Sequence, residues 1–297
     1  MRICVIFNPA AKGDKARRFR RHLDEIGAES GLKLTTAPGD ARRLATEAVA
    51  ENYEVVVAAG GDGTVNEVLN GIADAPEGLE RVRLGVLPLG TVNVFARELG
   101  LPQKLEPAWK IIRGGKDRRI DLPKVDYGAD GKRQRRYFVQ LGGAGLDARA
   151  IELVNWELKR RTGPLAYVWA GLHAMLDTPP EITAEGGASQ ARGGLVLIGN
   201  GRLYGGSYRV FPQADLQDGL LDVCVFPKVN WWTLTRCGPP LLINGSLPSG
   251  LVENFQAERI TLSSGTNVPL EVDGELIGHL PATFSIERKR LRVAALE

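Results

Sequence analysis

GGDGTVNE at residues 60–67 and LPLGTVNVFA at residues 87–96 predict the architecture of this chain. Each stretch follows a short apolar run and precedes apolar residues at the spacing of an amphipathic helix. A strand, a glycine-rich turn and a helix in that order place backbone N–H groups at a helix start, where they can hold phosphate. Two such turns in one half of the chain favour a nucleotide-using enzyme.

Strand and helix patterns alternate around these stretches over residues 1–123. The apolar run at residues 3–7 is continuous, as expected of a strand buried on both faces of a parallel sheet, and residues 54–59 form a further strand that leads into the first glycine-rich stretch. Residues 124–288 instead carry short β-like runs between turns. We therefore predict an α/β domain with an open, mostly parallel sheet at 1–123, a second, mainly β domain at 124–288, and a last strand, about 289–297, that returns to the first domain.

Composition limits the classes of protein to consider. The formal net charge of +3 over 297 residues does not indicate a nucleic-acid partner. Three cysteines without paired spacing indicate a reducing compartment and neither a disulfide framework nor a zinc site. Because no apolar run is long enough to cross a bilayer, we expect a cytoplasmic protein.

Two regions have the composition of a membrane-contacting surface. Residues 12–21 form a basic cluster, which is typical of a solvated helix face or of a site that attracts phosphate or anionic lipid. Trp231 and Trp232, flanked by Lys228 and Arg236, are typical of an interfacial segment or of a packed helix. Both alternatives stay open for each region, and the packed helix is favoured for the second.

The first glycine loop carries groups suited to a nucleotide. Glycines let the main chain approach phosphate oxygens, Thr64 can cap the following helix, and Asp62 can hold magnesium or its water. The alternative is an ordinary strand-to-helix turn, which rarely needs four special residues in five positions. No Gly-Lys-Ser/Thr follows, so this is not a Walker loop, and the dinucleotide-binding spacing is also absent.

Together these segments resemble the diacylglycerol kinase catalytic domain family, which includes bacterial diacylglycerol kinases, related lipid kinases and sphingosine kinases. The resemblance runs in order from about residue 3 to 290. Five further segments carry it: NPAAKG at 8–13, TTAPGDA at 35–41, RIDL at 119–122, DLQDGLLD at 215–222 and VDGE at 272–275. It implies an α/β domain and a β-sandwich with ATP in the cleft between them.

The resemblance also implies site residues. ATP would be bound by Asn8, Pro9, Ala10, Ala11, Lys12, Thr35, Thr36, Gly60, Gly61, Asp62, Gly63, Thr64, Val65, Asn66, Thr91 and Asp121. Lys12 is suited to pair with a phosphate. Asp273 and Glu275, together with Asp62, would be catalytic, with the carboxylate of the DGE segment accepting the proton of a lipid hydroxyl. An Asp-Gly pair is also a common hairpin turn, and the turn could present Glu275.

A structural magnesium is implied at the DLQDGLLD segment, held by Asp215, Asp218 and the carbonyl of Leu220. Its oxygen ligands suit magnesium or calcium, and a polar loop before a strand is the alternative. One position departs from the family pattern, because Val94 stands where many relatives carry an aspartate of the magnesium network. Asp62 and Asp121 would then have to carry that network alone.

The leading interpretation is an ATP- and Mg²⁺-dependent lipid kinase that phosphorylates a hydroxyl of a lipid such as diacylglycerol. One alternative is an NAD kinase, which shares GGDGT, although residues 66–67 and 90–96 fit the lipid-kinase pattern better. Another is a catalytically silent nucleotide- or lipid-binding regulator. We expect the lipid substrate at the membrane surface, peripheral attachment to its inner face and no nucleic acid; a homodimer is left open.

Overall fold

The computed structural model of this protein describes residues 1–9, 19, 23–129, 131–153, 178–248 and 250–295. The helices in these ranges are α1 Leu23–Glu29, α2 Asp40–Ala50, α3 Asp62–Asp74, α4 Gly78–Arg81, α5 Val94–Glu98, α6 Leu105–Arg113, α7 Leu146–Leu153 and α8 Trp231–Asn244. The strands are β1 Ile3–Phe7, β2 Gly31–Leu34, β3 Val55–Gly60, β4 Arg83–Pro88, β5 Asp117–Ala129, β6 Lys132–Tyr137, β7 Leu141–Gly145, β8 Ile182–Gly186, β9 Ser189–Gly193, β10 Leu195–Gly199, β11 Leu203–Tyr204, β12 Tyr208–Arg209, β13 Leu221–Phe226, β14 Glu253–Ala257, β15 Arg259–Ser264, β16 Pro269–Val272 and β17 Glu275–Ala294.

Strands β2, β1, β3 and β4 are neighbours in that order and all run parallel. Every residue of β1, β3 and β4 is buried, as the continuous apolar run of β1 predicts for a sheet covered on both faces. Since parallel strands end at one edge of the sheet, the loops that follow Phe7, Leu34, Gly60 and Pro88 meet there.

Helix α3 begins at Asp62, within the first glycine loop. Its buried side chains include Val65, Val68, Leu69 and Ile72, the i, i+3, i+4, i+7 stripe of a helix that packs on one face. Packing of this stripe in the core fixes the direction in which Asp62 and the rest of the first turn face the sheet edge.

The remaining strands are mostly antiparallel. The sheet continues from β4 through β17, β16, β7, β10 and β13 to β14, while β5, β6, β8, β9 and β15 branch from β17. A core of apolar side chains lies inside this part, where the rings of Phe138 and Phe284 meet edge to face at 5.8 Å. The predicted fold class is confirmed: a mostly parallel α/β part is joined to a mainly β part.

Strand β17 runs through both parts of the molecule. It pairs with β5 from His279 to Ala294, with irregularities between His279 and Ala282 and between Glu287 and Leu291. Val293 also pairs parallel with Leu84 of β4. The predicted boundaries at residues 123 and 288 stay a prediction. None of the helices in the described part of the chain has the length and hydropathy needed to cross a bilayer.

Candidate active site

The two glycine-rich loops lie directly against each other. Leu89 and Gly90 both donate their backbone N–H to the carbonyl of Gly60, at 3.0 and 3.1 Å. A Cβ at Gly90 would lie 2.5 Å from the Cα of Gly61, which is closer than atoms can pack. The contact therefore requires glycine, and the two stretches form one continuous backbone surface.

The loop after β1 joins this surface. Asn8 donates its backbone N–H to Ala59 at 3.1 Å and its side-chain amide to the hydroxyl of Thr64 at 3.3 Å. A Cβ at Gly60 would fall 2.3 Å from the Thr64 hydroxyl, so the glycine makes room for that side chain. The other predicted residues of the loop, Ala10, Ala11 and Lys12, lie outside the described residues, as does the basic cluster apart from Phe19.

The TTAPGDA segment is fixed to the first glycine loop by Glu67. Its two carboxylate oxygens accept the backbone N–H groups of Gly39 and Ala41, each at 3.0 Å, at the start of α2. Thr36 donates both its N–H and its hydroxyl to Asp40, and these bonds hold the pKa of that carboxyl well below its usual range. Glu67 was not among the predicted site residues, although it closes the quoted stretch.

Asp62 points toward the second loop. Its Oδ1 accepts the N–H of Phe95 at 3.3 Å, at the first turn of α5. Burial raises the pKa of Asp62 above its ordinary value, while the backbone N–H groups of Val94, Phe95 and Asn93 oppose that shift. Asp62 therefore connects the two glycine loops through the helix that begins at Val94.

Asn93 is a site residue that the sequence analysis missed. It is buried with a left-handed backbone (φ 53°) and donates its side-chain amide to the carbonyl of Gly90 at 2.8 Å. Its Oδ1 is buried without a hydrogen-bond donor among the described residues. Asparagine tolerates positive φ, so the residue type was a signal available in the sequence. The unpaired buried acceptor, which costs about 1–3 kcal/mol, is visible only in the structure.

The carboxylate of Asp273 is the most fully hydrogen-bonded group of the site. Its Oδ1 accepts the N–H groups of Gln140 and Leu141 at 3.0 and 3.2 Å. Its Oδ2 accepts the N–H of Val139 at 2.9 Å and the side-chain amide of Asn66 at 2.8 Å. Burial raises the pKa of Asp273 and these four bonds oppose the shift. No lone-pair direction is left for a substrate proton.

Glu275 lies in a different environment, beside the first glycine loop. Arg136 donates to its Oε2 at 2.8 Å, and a Cβ at Gly63 would lie 3.0 Å from its Oε1. Among the described residues, none donates to that Oε1. Burial raises the pKa of Glu275, the charge of Arg136 lowers it, and the charges of Glu67 and Asp273 raise it. This oxygen is therefore available to accept a proton next to the loop.

Asn66 brings the two halves of the site together. Besides its bond to Asp273, its amide donates to the carbonyl of Tyr137 at 3.1 Å, and its Oδ1 accepts from the Nε of Arg136 at 2.9 Å. Asn70, one turn further along α3, makes two bonds to the backbone of Tyr137. Helix α3 thereby positions Arg136 and the turn that carries both acids.

Glu271 stabilises the same turn through a hydrogen bond to its backbone. It is 1% exposed, and its Oε2 accepts the N–H of Gly274 at 3.0 Å. Burial and the neighbouring charge of Asp147 raise its pKa well above the ordinary value. The Oε1 of Glu271 is buried and has no hydrogen-bond partner in the described part of the chain.

Asp121 is held by residues other than the glycine loops. It is fully buried, and its oxygens accept the N–H groups of Gly219 and Lys289, each at 2.6 Å. Asp218, on the same loop as Gly219, has its pKa raised by burial and by the charges of Asp215 and Asp121. The contacts of Asp121 thus join it to the segment predicted to hold structural magnesium.

The predicted magnesium ligands lie on a tight polar turn. Asp215 accepts the N–H of Gln217 at 2.9 Å, and Asp218 accepts that of Leu220 at 2.8 Å. The described residues contain no group of three acidic, histidine or cysteine side chains that could hold a metal. Two carboxylates and one carbonyl are hard oxygen ligands, so the donor chemistry fits magnesium with water completing its shell.

Comparison with known proteins covers both parts of the chain. A family model described as the diacylglycerol kinase catalytic domain matches residues 2–125, and one described as a YegS C-terminal NAD kinase beta sandwich-like domain matches residues 141–295. Proteins named diacylglycerol kinase from Staphylococcus aureus strains MRSA252 and Newman are each 33% identical over 96% of this chain and 89% of their own length.

The fold also has solved counterparts. The crystal structure of a diacylglycerol kinase from Bacillus anthracis str. Sterne aligns with a TM-score of 0.77 at 24% identity, covering 99% of this chain and 97% of that one. At this level of identity the likeness supports the same fold, with its α/β and mainly β parts.

Proposed function

This chain belongs to the diacylglycerol kinase catalytic domain family, and we propose that it is an ATP- and magnesium-dependent lipid kinase with a diacylglycerol-like acceptor. The observation that supports the proposal most directly is the position of Glu275. One of its carboxylate oxygens lies against Gly63 of the first glycine loop and accepts no hydrogen bond from the described residues.

In the proposed reaction Glu275 is the general base. Its Oε1 takes the proton of the lipid hydroxyl while the hydroxyl oxygen forms a bond to the γ-phosphorus of ATP. The bond between the γ-phosphorus and the oxygen that leaves with ADP breaks. A raised pKa makes Glu275 a stronger base than an exposed glutamate, while the charge of Arg136 favours its ionised form. Such help is worth about 10²- to 10⁴-fold in rate.

Asp273 is proposed to position Glu275 and not to take a proton itself, since its oxygens already accept four hydrogen bonds. These bonds fix the turn that carries Glu275 relative to β7. Asn66 extends the connection to α3 and hence to the phosphate-binding loop. Geometry of this kind keeps the base within reach of its proton.

The ATP phosphates are proposed to bind along the joined glycine loops. Backbone N–H groups at the start of α3, Asn8, Thr64 and Thr91 would surround the phosphates, with Lys12 as a cationic partner. The unpaired Oδ1 of Asn93 and the oxygens of Asp62 are hard acceptors that fit hydrated magnesium at this place. Magnesium would neutralise the charge that builds on the transferred phosphoryl group.

We keep the structural magnesium at Asp215, Asp218 and the carbonyl of Leu220 as part of the proposal. Its expected contribution is to the fold, because the same loop is fixed to Asp121 and through it to Lys289 of β17. The enzyme would draw its acceptor from the inner face of a membrane as a peripheral protein.

The test is phosphate transfer from labelled ATP with magnesium, using vesicles that contain diacylglycerol and, separately, NAD. We expect labelled lipid, with a fall in kcat of about 10²- to 10⁴-fold in Glu275→Gln. Glu253→Gln, an exposed glutamate on β14, is the matched control and should keep normal turnover. Labelled NADP would favour an NAD kinase, the enzyme named in the description of the second family model. No transfer at all would favour a silent regulator.

A further inference from the structure

Helix α8 presents apolar side chains to solvent where a helix on a water-facing surface carries polar ones. Trp231 is 51% exposed, Trp232 57%, Leu234 40% and Ile243 79%. Among the described residues, only three other large apolar side chains are as exposed, and they are scattered singly over the fold. Four in one helix, three of them in its first turn and Ile243 near its end, make this helix a candidate surface, which single exposed residues do not.

The opposite face of α8 is packed in the protein. Thr233 and Cys237 are buried, and Cys237 and Leu241 join an apolar cluster with Phe211. The helix start is also fixed, because Asn230 accepts the N–H of Thr233 at 2.9 Å. The exposed side chains are therefore held outward by a well-packed inner face.

The charge around α8 complements anionic lipid. Its sequence WWTLTRCGPPLLIN contains no acidic residue and one arginine. The guanidinium of Arg236 lies 4.9 Å above the ring of Trp232, and Lys228 is exposed just before the helix. Tryptophan beside cationic side chains is the composition of segments that settle between lipid headgroups and acyl chains.

The C-terminal end of α8 leads toward the proposed ATP site. Arg209 on the β11–β12 hairpin donates its N–H to the carbonyl of Gly245, which follows α8, at 2.5 Å. A Cβ at Gly206 in that hairpin would lie 3.5 Å from Val92 in the second glycine loop. The C-terminal end of α8 is thus connected through this hairpin to the second glycine loop.

We propose that α8 docks this protein on an anionic bilayer, with the side chains of Trp231, Trp232, Leu234 and Ile243 at the headgroup boundary and Lys228 and Arg236 against lipid phosphates. The inference rests on the proposed function only for the use of docking, which would bring the active site to its lipid acceptor. The docking itself does not require that the protein be a kinase.

The direct test is co-sedimentation of the full chain with vesicles of phosphatidylcholine alone and of phosphatidylcholine with phosphatidylglycerol. We expect binding to the anionic vesicles that weakens with added salt. The double variant Trp231→Gln/Trp232→Gln should lower the partition coefficient about tenfold, and Ile243→Gln should lower it by a smaller factor. Leu34→Gln, which replaces a 48% exposed leucine on β2, is the matched control and should bind like the wild type.

A second measurement separates docking from catalysis. Transfer of phosphate to a water-soluble, short-chain diacylglycerol should be unchanged in the α8 variants, while transfer to diacylglycerol in vesicles should fall with binding. Glu275→Gln should lose both activities and keep vesicle binding. If the wild type also transfers no phosphate, the proposed function fails. The vesicle-binding data still test the docking proposal in that case.

Two results would overturn the docking proposal. One is equal vesicle binding by the wild type and the double tryptophan variant. The other is a change in sedimentation velocity from dimer to monomer in the α8 variants with unchanged vesicle binding, which would assign the surface to contact between two copies of the chain.

Discussion

The two glycine loops and the acidic turn at residues 271–275 build one site by opposite means. The loops use main-chain atoms, and their contact depends on the missing side chains of Gly60 and Gly90. The turn uses acidic side chains, and the backbone N–H groups of Val139, Gln140 and Leu141 hold Asp273 in place. Gly63 and Glu275 are the point where the two regions touch.

This difference predicts two kinds of sensitivity. At the contact between the loops, added volume is harmful, because there is no space between Gly90 and Gly61. In the turn, volume is unchanged by Asp-to-Asn or Glu-to-Gln exchange, but hydrogen bonding and charge are changed. Substitutions chosen on this basis test whether the loops respond to added volume and the turn to changed charge and hydrogen bonding.

The largest effect is expected for Asp273→Asn. One side-chain oxygen becomes an NH₂ group that faces two existing donors, so two hydrogen bonds are lost and two donors are left unpaired. We expect a loss of about 3 kcal/mol in the free energy of unfolding, measured with urea, together with lower turnover. Glu275→Gln should lower turnover alone, with less than about 1 kcal/mol of destabilisation. Equal destabilisation by both variants would mean that the two acids share one role.

Gly90→Ala tests the loop side of the contrast. The new methyl group would lie 2.5 Å from the Cα of Gly61, so the two loops must separate. We expect a loss of about 1–3 kcal/mol in unfolding free energy and weaker ATP binding by calorimetry. Gly265→Ala is the control, since a Cβ there has nothing within 4 Å. Normal ATP affinity in Gly90→Ala would show that the close contact does not serve the nucleotide.

Asp222 tests whether a buried carboxylate without backbone donors behaves differently from Asp273. It is 8% exposed, accepts one bond from Gln256, and burial raises its pKa from 3.8 to about 6. The folded state then holds the proton more tightly than the unfolded state, so its contribution to stability falls as pH rises from about 4 to 6.

Asp222→Asn keeps an acceptor for Gln256 and cannot ionise. Its unfolding free energy relative to the wild type should therefore rise by about 2 kcal/mol between pH 4 and pH 7. The measurement is urea unfolding of both proteins at several pH values. A difference that does not change with pH would contradict a buried, proton-holding Asp222.

The smallest expected effect is on the pH dependence of activity. The positive charge of Arg136 lowers the pKa of Glu275, and burial raises it. Removal of that charge in Arg136→Gln should raise the pKa further, so the acidic limb of kcat/KM moves to higher pH. Arg135→Gln, whose partner is Asp126, should leave the limb in place. An unmoved limb in both variants would mean that another group titrates.

Sequence predicted the loop side of the site better than the acidic side. A backbone contact without side chains can be made only by glycine, so GGDGT and LGT reveal it locally. The roles of Asp273 and Glu275 depend instead on Asn66, Arg136 and residues 139–141, which are distant in sequence. Asn66 was predicted to bind ATP, yet its described bonds join the acidic turn to α3.

The sequence by itself determined the alternation of strand and helix, the edge at which the loops collect, and the α/β part followed by a mainly β part, because local periodicity fixes which faces are buried. Only the tertiary structure decided which carboxylate keeps an available oxygen, that Asp121 joins Gly219 and Lys289, and that Trp231 and Trp232 face outward. The reason is physical: hydrogen-bond partners, burial and pKa are set by residues brought together across the whole chain, and no local pattern records them.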